Sequence, residues 1–192
     1  MSAKLLFLAG SARQDSVNKK LAQNACNMAK ELGADATFID LKDYVMPIYD
    51  GDLEAESSLP EKAVELKKVF MEHEGLFIAS PEYNSSFSPL LKNALDWISR
   101  PHTENEVPLS AYRGKVVALS AASPGGFGGL RGLVPLRMML GNISTTVIPE
   151  QFALTNAFEA FNEKGELVGV QQVMGLKMVV ESLVDKTKKL HA

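Results

Sequence analysis

Five times along this chain a short apolar run gives way to an amphipathic stretch, and that alternation restricts the fold more than any other feature. Residues Lys4–Ala9, 36–40, 75–80, 115–121 and 144–148 read as strands. Residues 17–32, 60–71, Pro89–Ser99, 130–140 and 167–190 read as helices, because their apolar side chains recur three and four positions apart. Alternation of this kind predicts parallel strands joined by right-handed crossovers, with helices over both faces. The runs "LLFLA", "GLFIA" and "VVALS" carry no polar break, as strands buried on both sides should. The expected fold is therefore α/β: a three-layer, doubly wound, five-stranded parallel sheet of order 2-1-3-4-5. With 192 residues, 46% of them hydrophobic, the chain has material for one core, and a single domain over residues 1–192 is expected.

In such sheets ligands sit beyond the carboxyl ends of the strands. The loops after the first, third and fourth strands should build the site, and they are the unusual parts of the sequence. The first, "GSARQDSVNKK", offers Ser16 as an N-cap and then two lysines, Lys19 and Lys20, with no acid. A helix N-terminus prefers negative charge by roughly 0.3–1 kcal/mol, so a bound anion would explain the misfit. Ser11, Arg13, Ser16 and Asn18 offer side-chain donors beside free backbone amides, which suits a phosphate. The competing reading is a plain capped loop with a solvated arginine. Neither G-x-x-x-x-G-K-[ST] nor G-x-G-x-x-G is present.

The second loop, "SPEYNSSFSP", runs from Pro81, which ends the strand, to Ser88 and Pro89, which read as N-cap and first helical residue. Its backbone amides, the Asn84 amide and the rings of Tyr83 and Phe87 suit a flat heteroaromatic ring with polar edges. The third, "SAASPGGFGGLRG", holds Gly125, Gly126, Gly128 and Gly129, which remove side chains where backbone must come close to something.

Taken together, "GSARQDSVNKKLA", "SPEYNSSFSPLLKNALDWIS" and "SAASPGGFGGLRG" resemble the NAD(P)H-dependent FMN reductases of the flavodoxin-like superfamily, which includes chromate and quinone reductases. The resemblance spans nearly the whole chain. The pattern G-S-x-R-x-x-S-x-N is fairly specific, and P-E-Y-N followed by L-K-N-A-L-D-W is highly so. It implies that Ser11, Arg13, Ser16 and Asn18 hold the FMN phosphate. Pro81, Glu82, Tyr83 and Asn84 would line the isoalloxazine and ribityl chain, and Ser120, Ser123 and Gly125 would bound the ring on its other edge. Where the family often has Pro-Gly, this chain has Ser88 and Pro89, which puts the helix start and the pocket mouth in question. The implied activity is transfer of a hydride from NAD(P)H through FMN to a small oxidant: a quinone, chromate, an azo compound or free flavin. No side chain is expected to be catalytic, since the flavin does the chemistry and the protein positions it. Glu82 reads as a loop-orienting carboxylate before a proton donor. The rival is a flavodoxin-type electron carrier or a non-catalytic flavin-binding protein. The mild net charge of −3 and the arginine in the phosphate loop weigh against a carrier.

The same charge gives no basic footprint for nucleic acid. No apolar run approaches the roughly 20 residues of a membrane span, and the first apolar stretch stops at Gly10 as a strand would. One cysteine, Cys26, excludes an intrachain disulfide and makes the cytoplasm the natural location. Its neighbours Ala22, Ala25 and Ala29 mark it as a small buried hydrophobe. His73, His102 and His191 are too scattered for a metal site. Phe127, Leu130, Leu133, Met138 and Met139 exceed what one short helix needs for one face, so a homodimer or homotetramer is expected. A 2′-phosphate contact that would separate NADPH from NADH stays open between Arg100, Arg113 and another subunit.

Overall fold

The three central strands are almost wholly apolar because helices cover both of their faces. In the computed structural model, which describes residues 2–192, the chain runs β1 (Lys4–Ala9), α1 (Val17–Glu31), β2 (Asp35–Asp40), α2 (Gly51–Ser57), α3 (Glu61–Met71), β3 (Gly75–Ala79), α4 (Pro89–Ser99), β4 (Val116–Ala122), α5 (Leu130–Asn142), β5 (Thr146–Leu154) and α6 (Val170–Leu190). All strands are parallel, in the order β2-β1-β3-β4-β5. Leu5, Phe7 and Ala9 of β1 pack into one core layer with Leu21 and Ala25 of α1 and Leu176, Val180 and Leu183 of α6. Leu6 and Leu8 point the other way, into a second layer with Leu66 of α3, Leu91 and Leu95 of α4 and Leu133 and Leu136 of α5. Phe7 stacks on Phe77 of β3 at 5.4 Å between centroids. Each such side chain contributes about 1.5–3 kcal/mol of burial, which fixes the register of the central strands. Cys26 lies fully inside the first layer, and burial pushes its thiol up despite nearby Lys30.

The helices that matter for the site start on schedule. Ser16 caps α1, its hydroxyl accepting from the Lys19 amide at 3.4 Å, and Gly33 ends the helix at φ +77. Ser88 caps α4 from the Leu91 amide at 3.2 Å, with Pro89 in the first turn.

Four elements depart from expectation. A short 3-10 turn at Leu41–Asp43 and helix α2 occupy the connection after β2. Helix α2 buries no residue, so its sequence "GDLEAES" shows no apolar period. Strand β5 starts at Thr146 and runs to Leu154, well past residue 148. Its pairing with β4 jumps from Val117↔Val147 to Leu119↔Gln151, and the irregularity on this edge strand accommodates Pro149, which has no amide to give the ladder. Leu167 forms an isolated bridge with Phe161, and α6 begins only at Val170.

Candidate functional site

The loops after β1, β3 and β4 meet where the strand order reverses. Backbone bonds continue the sheet into them: Gly10 donates to Ala79 at 2.9 Å and Ser80 donates to Ser120 at 2.8 Å. The Ser88 hydroxyl donates to the Gly10 carbonyl at 2.5 Å, so the cap of α4 also holds the first loop. This serine, at the position where the chain departs from the family pattern, therefore joins the first loop to the second. The buried amide of Asn18 donates to Ala122 O and accepts from Ala122 N, both at 2.9 Å, stitching the start of α1 to the end of β4. Ser123 N donates to Leu154 O at 3.1 Å, tying the third loop to β5.

A cavity of about 190 Å³ opens among these loops. Ser11, Arg13, Ser16 and Asn18 line it from the first loop; Pro81, Glu82 and Tyr83 line it from the second; Ser123 lines it from the third. A larger cavity of about 460 Å³ adjoins it and shares Glu82 and Ser123. Asn84 and Gly125 line this second space, with Ser85, Phe127 and Arg131. The first cavity alone is smaller than the roughly 300 Å³ at which ligand pockets begin, whereas the second passes that size by itself.

Ser120 is not part of either cavity. It is fully buried in β4, and its hydroxyl donates to Phe152 O of β5 at 2.7 Å. Asn18 lines the cavity, and both ends of its amide are engaged with Ala122, so its side chain anchors the loop to β4 and keeps one Nδ2 hydrogen for a ligand. The lysines of the first turn have partners of their own. Lys19 pairs with Asp40 at 2.6 Å, and Lys20 lies over the Phe161 ring at 5.9 Å. What stays available is Arg13, exposed at the rim, and the first helical amides of Val17 and Asn18, which find no backbone acceptor among the described residues. Gly128 and Gly129 serve packing: a Cβ on Gly128 would stand 2.8 Å from Ala153, and one on Gly129 2.9 Å from Ala121. Both are at positive φ, where an L side chain is strained.

The second loop turns through Asn84 and Ser85, at φ 52 and 65, between paired bonds that join Tyr83 and Ser86. Glu82 accepts from Arg131 Nε at 2.8 Å in an ion pair with its guanidinium, so loop and helix α5 are joined across the second cavity. Sequence reasoning missed Phe158, an exposed ring on the loop after β5 that borders the first cavity. It also missed Arg131. The signal for Phe158 was the topology itself, since the fifth strand ends on the same side as the other four.

A five-stranded doubly wound sheet with a phosphate-sized cavity at its switch point and an aromatic loop beside it defines a flavodoxin-like nucleotide-binding protein. Residues 3–159, which include all three loops, match the model of the NADPH-dependent FMN reductase family, and the chain belongs to that family. It is similar to an NADPH:quinone oxidoreductase of Arabidopsis thaliana, 32% identical over 193 residues that cover 98% of this chain and 93% of the relative. A quinone reductase of Escherichia coli K12 is 34% identical over 145 residues, 73% of this chain and 71% of that one. Among solved structures, the NAD(P)H:(acceptor) oxidoreductase FerB of Paracoccus denitrificans superposes with a TM-score of 0.81 at 28% identity, covering 97% of this chain and 98% of that one. The protein is an NAD(P)H-dependent oxidoreductase that works with FMN. Its residues fit the group: free helix amides, two serines and an unpaired arginine face the phosphate-sized cavity, and the Tyr83 ring stands half-exposed beside it.

Proposed function

We propose that this protein carries reducing equivalents from NAD(P)H to a small oxidant, a quinone in the first instance, through one open site. The carrying observation is that the two cavities share Glu82 and Ser123 and so form one composite pocket at the switch point. In this reading Ser11, Arg13, Ser16 and the first amides of α1 hold the FMN phosphate, and Asn18 keeps the loop in shape. Pro81, Glu82, Tyr83 and Asn84 line the ring and ribityl chain, with Ser123 and Gly125 at the other edge. FMN, when bound, accepts the hydride and passes the electrons on. The protein's own work is to bind, to orient and to leave one face open. Glu82, held by Arg131, orients the loop. Chromate, azo compounds and free flavin fit the same open pocket.

A single pocket serves two substrates only in turn. Initial rates of the FMN-loaded protein, measured against NAD(P)H at several fixed quinone levels, should give parallel double-reciprocal lines. Intersecting lines would mean that both substrates are bound at once, and the shared pocket fails. A carrier or a non-catalytic flavin protein would consume no NAD(P)H with quinone present. The proposal includes a cytoplasmic location, supported by a lone buried thiol, and a homodimer or larger assembly. Among the described residues no helix is long and apolar enough to cross a membrane.

A further inference from the structure

The second cavity has a chemistry of its own, and the reading above leaves its far wall unused. That wall is built by the third loop and the start of α5: Gly126, Phe127 and Arg131. Phe127 is 65% exposed, a large apolar ring facing water at the edge of a polar cavity. The Arg131 guanidinium lies over it at 5.2 Å from the ring centroid. Glu82 Oε1 accepts from Nε at 2.8 Å, and Nη2 stands 2.7 Å from the same oxygen in the ion pair. That pairing fixes the plane of the guanidinium and leaves Nη1 and the outer edge of the fork unengaged. At Gly126 a Cβ would meet nothing, so the backbone there is bare and open to the cavity.

Elimination narrows the role. Of the residues that line the two cavities, only Arg13 and Arg131 are cationic. Arg13 belongs to the smaller cavity, beside the cap of α1. Arg100 and Arg113, which the sequence left open as nucleotide contacts, lie at the wrong end. Arg100 caps the C-terminus of α4 and is held by Glu54 at 2.9 Å. Arg113 precedes the first residue of β4, at the amino end of the sheet. Arg131 is the one guanidinium that the larger cavity offers to an anion brought in by a substrate.

We propose that Arg131 receives the 2′-phosphate of NADPH, and that Phe127 and the guanidinium plane form the flat surface on which its adenine lies. The inference rests on the function proposed above and names the residue that selects the reductant. A terminal phosphate monoester presents three oxygens to a fork-shaped donor, and a planar guanidinium beside an aromatic ring suits a purine. NADH lacks that phosphate and gains nothing from Arg131. Because Arg131 is 59% exposed on its side chain, the low end of a charge-assisted bond applies, roughly a tenfold preference.

The test uses the FMN-loaded protein with Arg131→Met, which keeps an unbranched stem without the charge, and Arg131→Lys, which keeps the charge without the fork. The expected result is a roughly tenfold fall in kcat/KM for NADPH in Arg131→Met, a change under about twofold for NADH, and an intermediate value for Arg131→Lys. Binding gives a second readout without turnover. Adenosine 2′,5′-bisphosphate should bind the unmodified protein more tightly than 5′-AMP, and Arg131→Met should erase the difference. Equal losses for NADPH and NADH would mean that Arg131 acts only by holding Glu82, and would overturn the inference; so would no change, or an unmodified protein that prefers NADH. Failure of both nucleotides to reduce the bound flavin would instead strike the proposed function, and the bisphosphate titration would still decide on Arg131.

Discussion

Arg13 and Ser85 show what a single position can and cannot reveal in a sequence. Arg13 was legible because a cation in a capped loop needs a reason, and it does line the smaller cavity without a partner of its own. Lys19 and Lys20 looked equally anomalous, yet Asp40 and Phe161 answer them from distant parts of the chain. Ser120 lies outside both cavities, its hydroxyl spent on Phe152 O of the neighbouring strand, whereas Asn18 lines the smaller cavity while its amide also anchors to Ala122. If Arg13 meets the FMN phosphate, its charge-assisted bonds contribute about 1.5–3 kcal/mol. Arg13→Ala should then weaken FMN by about 10- to 100-fold, and riboflavin, which has no phosphate, hardly at all. Titrating both ligands into the apo protein checks this, and equal losses would show a general disturbance of the pocket. Ser85 poses a different test. It sits at φ 65 in a two-residue turn whose partner Asn84 is also at positive φ, the geometry that favours Asn-Gly. A non-glycine residue there costs about 1 kcal/mol. Ser85→Gly should therefore raise the melting temperature by about 1–4 °C, after the added freedom of the unfolded chain is subtracted. A lower melting temperature would mean that the serine hydroxyl holds the turn.

Elements were legible in proportion to how much apolar surface they bury. Lys4–Ala9 and Pro89–Ser99 fall where their patterns put them, because both are buried on faces that the period exposes. Helix α2 buries nothing, and β5 is an interrupted edge strand, so neither leaves a clean period. The segment from Arg100 to Gly114, between α4 and β4, has no regular structure; Ala111 and Tyr112 bury its end in the core, and a polar cluster fastens the rest. Lys67 of α3 is buried, donates to Arg100 O at 2.5 Å and pairs with Glu106. Glu106 also accepts from the Ser110 hydroxyl at 2.5 Å and from His102 N at 2.8 Å. Burial alone would raise the Glu106 carboxyl; Lys67 and these donors outweigh it and hold the pKa down to about 2. A depressed carboxyl contributes stability that is present above its ordinary value near 4.5 and is lost as pH falls toward 2. Glu106→Gln should cost about 3 kcal/mol near neutral pH, since it leaves a buried ammonium unpaired. It should also flatten the fall in stability between about pH 5 and pH 2 relative to the unmodified protein. Thermal unfolding of both proteins across that range decides it, and parallel curves would remove Glu106 from the acid transition.

At the scale of the molecule, the parallel layered sheet follows from alternation, whereas the assembly depends on which residues of each helix the core leaves out. Of the five apolar residues that suggested an interface, Leu133 is buried and Met139 packs against the core. The other three are exposed, and with Val134 two of them, Leu130 and Met138, four positions apart, form an outward stripe with Val134 at 67% and Met138 at 66% exposure. Phe127 continues the stripe to the edge of the larger cavity. A second stripe, Val170, Met174 and Met178, runs along α6, which packs on the opposite face of the sheet. A stable interface buries about 800 Å² per partner, more than one stripe of four side chains supplies, so a partner on α5 must also cover its surroundings, the rim of the cavity among them. The proposed dimer therefore makes a linked prediction. Val134→Glu together with Met138→Glu should give a monomer at micromolar concentration and a raised KM for NAD(P)H, because the partner walls the pocket. Met174→Glu, on the α6 stripe, should leave both properties unchanged. Light scattering and steady-state rates on the same samples read the two effects together. An unmodified protein that is already monomeric ends the proposal, and a monomer produced by Met174→Glu alone would move the interface to α6 and leave the pocket without its neighbour.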